Sequence, residues 1–255
     1  MSAPHERRPE LRFSNRVADY VRCRPSYPPA ILEWLRDTIG FSPAWGIADI
    51  GSGTGIFSRL FVENGNVVHG VEPNDAMRAA AEEMLADRAN FLSVRGLAEA
   101  TTLPDASIDL VATAQAFHWF EPLTARREFR RILKPDGWAL IVFNSRRKDA
   151  SPFMRAYDDY LHTNAIDYGE VDHTLVSPER LRAFLGNYFE WKKAFSVFHD
   201  DDGVRGLSSS SSYVPEPGHP KHVAFYDGLC KLVATHAVDG KVEFLYETEA
   251  YLGRI

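Results

Sequence analysis

The stretch Ile47-Ala48-Asp49-Ile50-Gly51-Ser52-Gly53-Thr54-Gly55 decides the fold of this chain. An apolar run is followed by three alternating glycines, which let a backbone turn sharply and approach a ligand without interference from Cβ atoms. A helix that begins near Gly55 would point its free N–H groups at that turn. The pattern predicts a strand, a tight turn and a helix that together hold an anionic or nucleoside-bearing ligand.

A second apolar run, Val67-Val68-His69-Gly70-Val71, ends in a carboxylate, Glu72. Glu72 follows Gly51 by 21 residues. At the tip of a second strand, a carboxylate in this position can accept hydrogen bonds from both hydroxyls of a ribose. The spacing therefore favours a nucleoside over a simple anion.

The glycine spacing separates two kinds of nucleoside cofactor. The dinucleotide fingerprint G-x-G-x-x-G requires a glycine three residues after Gly53, where this chain has Ile56. The third glycine, Gly55, comes one residue earlier, and an acid, Asp49, precedes the first glycine. Both departures disfavour NAD.

The pattern of Asp49, Gly51, Gly53 and Gly55 followed by Glu72 resembles the first motifs of class I S-adenosylmethionine (SAM) methyltransferases. Two later stretches are similar to the fourth-strand motif of that family and to its helix and turn before the fifth strand. They are Ile108-Asp109-Leu110-Val111 with Ala114-Gln115-Ala116-Phe117-His118-Trp119-Phe120, and Arg130-Arg131-Ile132-Leu133-Lys134-Pro135-Asp136-Gly137-Trp138. Tyr20 with Arg24-Pro25-Ser26-Tyr27-Pro28, and Ser210-Ser211-Ser212-Tyr213-Val214-Pro215, resemble a subgroup that includes trans-aconitate methyltransferase-like proteins.

The alternation of strand-like and helix-period segments predicts an α/β fold with a parallel sheet. We expect strands near 45–50, 66–72, 90–95, 107–114, 137–144, 188–199 and 241–252. We expect a helix to run from Pro122 to Leu133 and to stop at Lys134-Pro135-Asp136-Gly137. The resemblance implies a Rossmann-like seven-stranded, mostly parallel sheet with the last strand antiparallel, helices on both faces, an N-terminal lid and a helical insertion before the last strand.

Length and composition predict one domain over residues 1–255. The resemblance implies that it consists of an N-terminal lid and helix (1–40), a SAM-binding core (41–150) and a C-terminal substrate-capping region (151–255). The net charge of −6 disfavours a nucleic-acid binder, and Arg7, Arg8, Arg12 and Arg16 are interpreted as a solvated face. Two cysteines and no long apolar run predict a cytoplasmic protein without a membrane partner. The histidines lack metal-ligand spacing, so no metal is expected, and we expect a monomer or homodimer.

The resemblance implies that SAM is the cofactor and S-adenosylhomocysteine the product. Glu72 is expected at the ribose, Arg24 or the Tyr20 hydroxyl at the methionine carboxylate, and the Ala98 N–H at the adenine. Glu99 is expected to touch the cofactor or to orient its loop, and Gln115 to lie near the methionine portion. The expected cofactor-binding residues are Tyr20, Arg24, Asp49, Gly51, Ser52, Gly53, Gly55, Glu72, Pro73, Ala98, Glu99, Ala114 and Gln115.

His118 and Trp119 follow the fourth strand, at the sheet edge where ligands bind in open α/β sheets. They are the candidate catalytic residues, for acceptor positioning or as a base; the alternative is that they pack in the core. A carboxylate acceptor is already ionised at neutral pH and needs no base, whereas a phenol, amine or carbon acid needs one. The expected substrate-pocket residues are Phe13, Tyr27, Ser212, Tyr213 and Tyr246.

These observations predict a SAM-dependent methyltransferase that acts on a small-molecule acceptor, with O-methylation of an organic acid or related metabolite as the preferred reaction. Two alternatives remain open at this point. One is a SAM-binding regulatory protein without catalysis, and the other is an NAD(P)-dependent Rossmann oxidoreductase.

Overall fold

The computed structural model describes residues 16–171 and 176–255, and the seven strands in this part of the chain form one sheet. The strands are β1 (Gly46–Ile50), β2 (Val67–Val71), β3 (Phe91–Val94), β4 (Ile108–Ala114), β5 (Leu133–Arg146), β6 (Tyr188–His199) and β7 (Val242–Gly253). Their order across the sheet is β3-β2-β1-β4-β5-β7-β6.

Strands β1 to β5 pair in parallel, and β7 pairs antiparallel with both β5 and β6. The prediction of a mostly parallel sheet with an antiparallel last strand is confirmed. Because β1, β2 and β4 are neighbours and run in the same direction, their carboxyl ends meet at one edge, which is where an open α/β sheet binds ligands.

The helices cover both faces of this sheet and its C-terminal extension. They are α1 (Val17–Cys23), α2 (Ala30–Ile39), α3 (Ile56–Glu63), α4 (Asp75–Met84), α5 (Pro122–Ile132), α6 (Pro152–Asn164), α7 (Tyr168–Val171), α8 (Pro178–Leu185), α9 (Asp201–Ser209) and α10 (His222–His236). A 3₁₀ turn spans Phe117–Trp119. Helices α9 and α10 form the predicted insertion between the two C-terminal strands.

The start of β5 differs from the prediction. Helix α5 ends at Ile132, and the strand begins at Leu133, so Lys134 to Gly137 belong to the strand instead of a turn. The pairing with β4 is irregular there, because Ile108 lies opposite Leu133 whereas Leu110 lies opposite Trp138. This bulge accommodates Pro135, which has no N–H to donate to a ladder.

Apolar side chains pack in three clusters. One lies between the sheet and α5 and α8, and a second lies between the opposite face and α2 and α3. The third joins α6, α9 and α10 to β7. In the described residues, no helix has both the length and the apolar character needed to cross a membrane. The clusters thus build a sheet core and an adjoining C-terminal lobe, with the carboxyl edge of the sheet open between them.

Candidate functional site

A cleft at the carboxyl ends of β1 and β4 has two adjoining parts, which share five lining residues. These are Tyr20, Gly51, Gly53, Ala114 and Gln115. The first part, here called the Glu72 part, is also lined by Glu72, Pro73, Met77, Leu97, Ala98, Glu99, Ala116, Trp119 and Phe120. The second, the Arg146 part, is also lined by Arg24, Pro25, Tyr27, Asp49, Ser52, Thr54, Ile56, Phe57, Asn144, Arg146, Tyr168, Leu207, Ser211, Tyr213 and Tyr246.

The three glycines of the turn have different roles. All have positive φ angles, of +70° at Gly51, +56° at Gly53 and +82° at Gly55. A Cβ on Gly53 would meet no atom within 4 Å, so it would project into open space at the cleft. A Cβ on Gly55 would lie only 3.2 Å from the Cβ of Ala81. The absence of a side chain at Gly55 therefore lets α3 pack closely on α4. Gly55 lines neither part of the cleft, and its expected cofactor contact stays a prediction.

Glu72 lies at the carboxyl end of β2 and is only 8% exposed. Its carboxylate accepts hydrogen bonds from the backbone N–H of Gly53 and of Asn74, each at 2.9 Å. Burial raises the pKa of Glu72. The second-strand acid and the glycine turn are thus joined directly, and the carboxylate faces the cleft where hydroxyl donors of a ligand would meet it.

Asp49 is fully buried at the end of β1. One carboxylate oxygen, Oδ2, accepts a hydrogen bond from the Ser58 hydroxyl at 2.6 Å. The other, Oδ1, has no hydrogen-bond partner among the described residues. Burial is the largest effect on this carboxyl group and raises its pKa to about 7. An unpaired buried acceptor is costly, so a ligand that brings an ammonium group to Oδ1 fits this position.

Gln115 follows β4 and has a positive φ of 55°, which is uncommon for a residue with a side chain. Its side-chain amide donates to the carbonyl of Asn144 at 2.9 Å, and its backbone N–H donates to Val142 at 3.0 Å. These bonds hold Gln115 beneath both parts of the cleft. Strained backbone of this kind is found preferentially at functional sites.

Glu99 connects the loop after β3, which borders the Glu72 part, to the start of α5 through a hydrogen bond. Its carboxylate accepts a hydrogen bond from the backbone N–H of Glu121 at 2.8 Å, just before α5. This contact corresponds to the loop-orienting role that was one of the two expected for Glu99. Ala98 and Pro73 also line this part, and their contacts with a cofactor stay predictions.

Tyr20 lies on α1, and Arg24 directly follows this helix; both line the cleft. The Arg24 guanidinium donates to the Ser210 hydroxyl at 2.8 Å and to the Ser211 hydroxyl at 3.1 Å. It lies 5.0 Å from the centre of the Tyr20 ring. Arg24 therefore reaches the cleft from a fixed position, and its pairing with a methionine carboxylate stays a prediction.

Arg16 corrects the interpretation of the N-terminal arginines as a solvated face. Its exposed fraction is only 7%, and its guanidinium donates to the carbonyls of Ser209, Ser211 and Val214. It also pairs with Glu216 at 3.0 Å. Residues 208–214, here called the serine segment, thus receive both Arg16 and Arg24. Arg7, Arg8 and Arg12 lie outside the described residues.

His118 and Trp119 occupy the 3₁₀ turn after β4. The Trp119 ring lines the Glu72 part, whereas His118 is not among the lining residues of either part. The two rings pack at 4.9 Å between centroids. His118 thus touches the cleft wall through Trp119, and its role as base or in acceptor positioning stays a prediction.

The expected substrate-pocket residues are divided by the structure. Tyr27, Tyr213 and Tyr246 line the Arg146 part together. Ser212 does not, although its neighbour Ser211 does. Phe13 lies outside the described residues. The expected substrate-pocket residues that line the cleft are thus three tyrosines, and their contacts with a substrate stay predictions.

Arg146 was not singled out from the sequence. It ends β5, lines the cleft and donates from Nη2 to the hydroxyls of Tyr168 and Tyr213, each at 3.1 Å. Its guanidinium lies 5.2 Å from the centre of the Tyr157 ring. The available signal was a charged residue at the carboxyl end of a buried strand. The run Arg146-Arg147-Lys148 does not show by itself which cation faces inward.

Comparisons with known proteins give one consistent family. Residues 48–141 match the family model of a methyltransferase domain. An uncharacterised methyltransferase of Mycobacterium tuberculosis is 38% identical over 230 residues, which cover 89% of this chain and 87% of that protein. An uncharacterised methyltransferase of Schizosaccharomyces pombe is 35% identical and covers 94% of this chain and 95% of its own length.

The comparison of structures agrees. A solved structure from Anaeromyxobacter dehalogenans, proposed to be a type II methyltransferase, superimposes with a TM-score of 0.62 at 25% identity. The match covers 91% of this chain and 97% of that one. The similarity therefore extends beyond the glycine turn to the N-terminal helices and the C-terminal lobe.

Proposed function

Because this chain belongs to the class I SAM-dependent methyltransferases, we propose that it transfers a methyl group to a carboxylate oxygen of a small organic acid. The donor's methyl group is already electrophilic on its sulfonium, so the chain has to position an acceptor and exclude water.

Three observations support the proposed placement of the donor. Glu72 offers a buried carboxylate at the Glu72 part, suited to ribose hydroxyls. Asp49 Oδ1, a buried acceptor without a partner in residues 16–171 and 176–255, suits the ammonium group of the donor's methionine portion. Gly53 leaves space beside both groups. The residues that are present therefore fit SAM.

The observation that carries the choice of a carboxylate acceptor is the lining of the Arg146 part. Its described residues include two arginines and several tyrosines, but no histidine and no lysine. The one carboxyl group among them, Asp49, is the proposed partner of the donor's ammonium group. Burial raises the pKa of Tyr246 and of Tyr27, so these phenols are poor bases near neutral pH. An acceptor that is already ionised fits such a lining, because it has no proton to lose.

The proposed step balances without a base. A carboxylate oxygen of the acceptor forms the new C–O bond while the C–S bond breaks. The electron pair of the C–S bond returns to sulfur, and no proton moves. The products are a methyl ester and S-adenosylhomocysteine.

The test uses purified protein, methyl-labelled SAM and a panel of mono-, di- and tricarboxylic acids, beside amines and phenols of similar size. We expect label in acids alone, in products that mild alkali hydrolyses as esters do. The Gly53→Val variant, whose side chain would enter the cleft, should transfer none. Label in amines or phenols alone would contradict the proposal, and turnover of any acceptor would exclude a non-catalytic SAM-binding protein.

We also propose that the enzyme works in the cytoplasm, as a monomer or homodimer, without a nucleic-acid partner. The net charge of −6 and the presence of only two cysteines support this assignment.

A further inference from the structure

The Arg146 guanidinium carries a charge that no described carboxylate neutralises. Among the described side chains, those of residues 16–169 and 176–255, no carboxylate lies within the 4 Å of an ion pair with Arg146. Its Nη2 donates hydrogen bonds to the hydroxyls of Tyr168 and Tyr213. Because arginine stays protonated in proteins, this positive charge is permanent.

Three of the tyrosines around Arg146, Tyr157, Tyr168 and Tyr246, are uncharged at neutral pH. Burial is the largest effect on Tyr157, Tyr168 and Tyr246, and it raises the pKa of each phenol. Phenolate therefore does not form near pH 7 to pair with Arg146. These rings enclose the guanidinium and offer π-faces and hydroxyl oxygens, which orient the charge without cancelling it.

One carboxylate reaches this group indirectly. The Tyr168 hydroxyl donates to Asp158 at 2.5 Å, and Asp158 lies 3.4 Å from the ammonium of Lys148. Asp158 thus fixes the Tyr168 hydroxyl and is itself paired with a lysine. The Tyr213 hydroxyl accepts from Arg146, and a hydroxyl can also act as a donor.

We propose that Arg146, with the Tyr213 hydroxyl, binds a non-reacting anionic group of the acceptor, so that the substrate is a small dicarboxylate methylated at its other end. This inference rests on the proposed function. A planar guanidinium can bind a carboxylate through two parallel hydrogen bonds, and a low-dielectric wall strengthens them.

The bound group is the non-reacting one for a chemical reason. A carboxylate paired with arginine has its lone pairs engaged and its charge partly neutralised, which makes it a weaker nucleophile. Arg146 therefore suits an anchor. Arg24, the other arginine of the cavity, is held beside the glycine turn by Ser210 and Ser211 and is the proposed partner of the donor's own carboxylate.

The test compares Arg146→Met with Arg147→Met, which removes the neighbouring, exposed arginine. The probes are glutarate, its monomethyl ester and butyrate, and each is assayed in two ways. One is calorimetric binding to protein saturated with S-adenosylhomocysteine, and the other is turnover with labelled SAM. Titration with S-adenosylhomocysteine alone and a thermal unfolding curve show whether each variant is folded and binds the donor product.

We expect wild type and Arg147→Met to bind glutarate more tightly than they bind its monomethyl ester or butyrate, each of which has only one carboxylate. Arg146→Met should weaken glutarate binding and raise its KM at least about 30-fold, the effect of removing one partner of an enclosed charge pair. It should lower kcat less and leave S-adenosylhomocysteine affinity unchanged. Arg146→Lys should recover part of the affinity, because it restores the charge without the planar fork.

Three results would overturn the inference. The first is glutarate binding no tighter than butyrate, or absent, in wild type. The second is equal glutarate affinity in Arg146→Met and wild type. The third is loss of S-adenosylhomocysteine binding in Arg146→Met, which would assign Arg146 to the donor. By contrast, glutarate binding through Arg146 without any labelled ester would uphold the anionic subsite and contradict the proposed methyl transfer.

Discussion

The buried carboxyl group of Asp49 links the stability of the protein to pH. Its burial costs stability when it is ionised, since a folded-state pKa of about 7 lies well above the ordinary value of an aspartate. The folded protein holds this proton more tightly than the unfolded chain. The contribution of Asp49 to stability therefore falls as pH rises from about 4 to about 7.

The same group predicts the pH dependence of donor binding. Because an ammonium partner requires ionised Asp49, the affinity for S-adenosylhomocysteine should rise about eightfold between pH 6 and pH 7.5. Calorimetric titrations across this range measure the effect. Asp49→Asn should bind more weakly and show a flatter profile. A wild-type affinity that falls with rising pH would contradict the assignment.

Glu72 gives a second prediction at the residue scale. Glu72→Gln keeps the size of the side chain but removes its charge, and should cost roughly 2–3 kcal/mol in S-adenosylhomocysteine affinity, the range for hydrogen bonds to charged groups. The matched control is Glu63→Gln, at an exposed position paired with Arg59. If both variants bound the ligand like wild type, the ribose assignment of Glu72 would be wrong.

At the scale of elements, α1 is fastened to the serine segment by Arg16 and Arg24. Four hydrogen bonds from these arginines end on backbone carbonyls of that segment, and two more end on serine hydroxyls. Ser208 and Ser210 are fully buried. The serine segment thus holds α1 through these hydrogen bonds, and its Ser211 lines the Arg146 part of the cleft.

This fastening predicts a stability effect. Arg16→Met leaves buried carbonyls without a donor and should cost about 2–4 kcal/mol, or roughly 5–15 °C in Tm. Arg22→Met, on the exposed side of the same helix, should change stability by less than about 0.5 kcal/mol. Circular dichroism melts of both variants measure this. Equal Tm values for Arg16→Met and wild type would show that α1 is not held in this way.

The sequence sufficed for elements whose signal is local. The glycine turn, Glu72 and the seven strands follow from spacing and periodicity within short windows. Arg146 and Arg16 did not follow, because their surroundings come from distant segments. Arg146 meets tyrosines from α6, α7, β7 and the residues after α9, and Arg16 meets carbonyls nearly 200 positions away. The start of β5 was misplaced because Pro135 and Gly137 indicate a turn in isolation, and only pairing with β4 shows the strand.

At the scale of the whole molecule, the cleft lies where three parts meet: the sheet edge, α1 and the C-terminal lobe. A ligand that contacts Asp49, Tyr20 and Tyr213 would bridge all three. Because such a ligand binds the folded chain alone, S-adenosylhomocysteine at 100 times its Kd should stabilise the protein by about 2.7 kcal/mol. We expect a rise in Tm of roughly 5–10 °C, absent with Gly53→Val. A Tm that the ligand leaves unchanged would contradict binding at this cleft.

The most direct measurement is a calorimetric titration of the purified protein with S-adenosylhomocysteine, beside NAD and NADP, at pH 7.5. We expect saturable, one-site binding of S-adenosylhomocysteine at micromolar strength and no heat from either dinucleotide, because the third glycine falls at Gly55 and Ile56 occupies the dinucleotide position. Binding of NAD or NADP, or a silent titration with S-adenosylhomocysteine, would contradict this expectation.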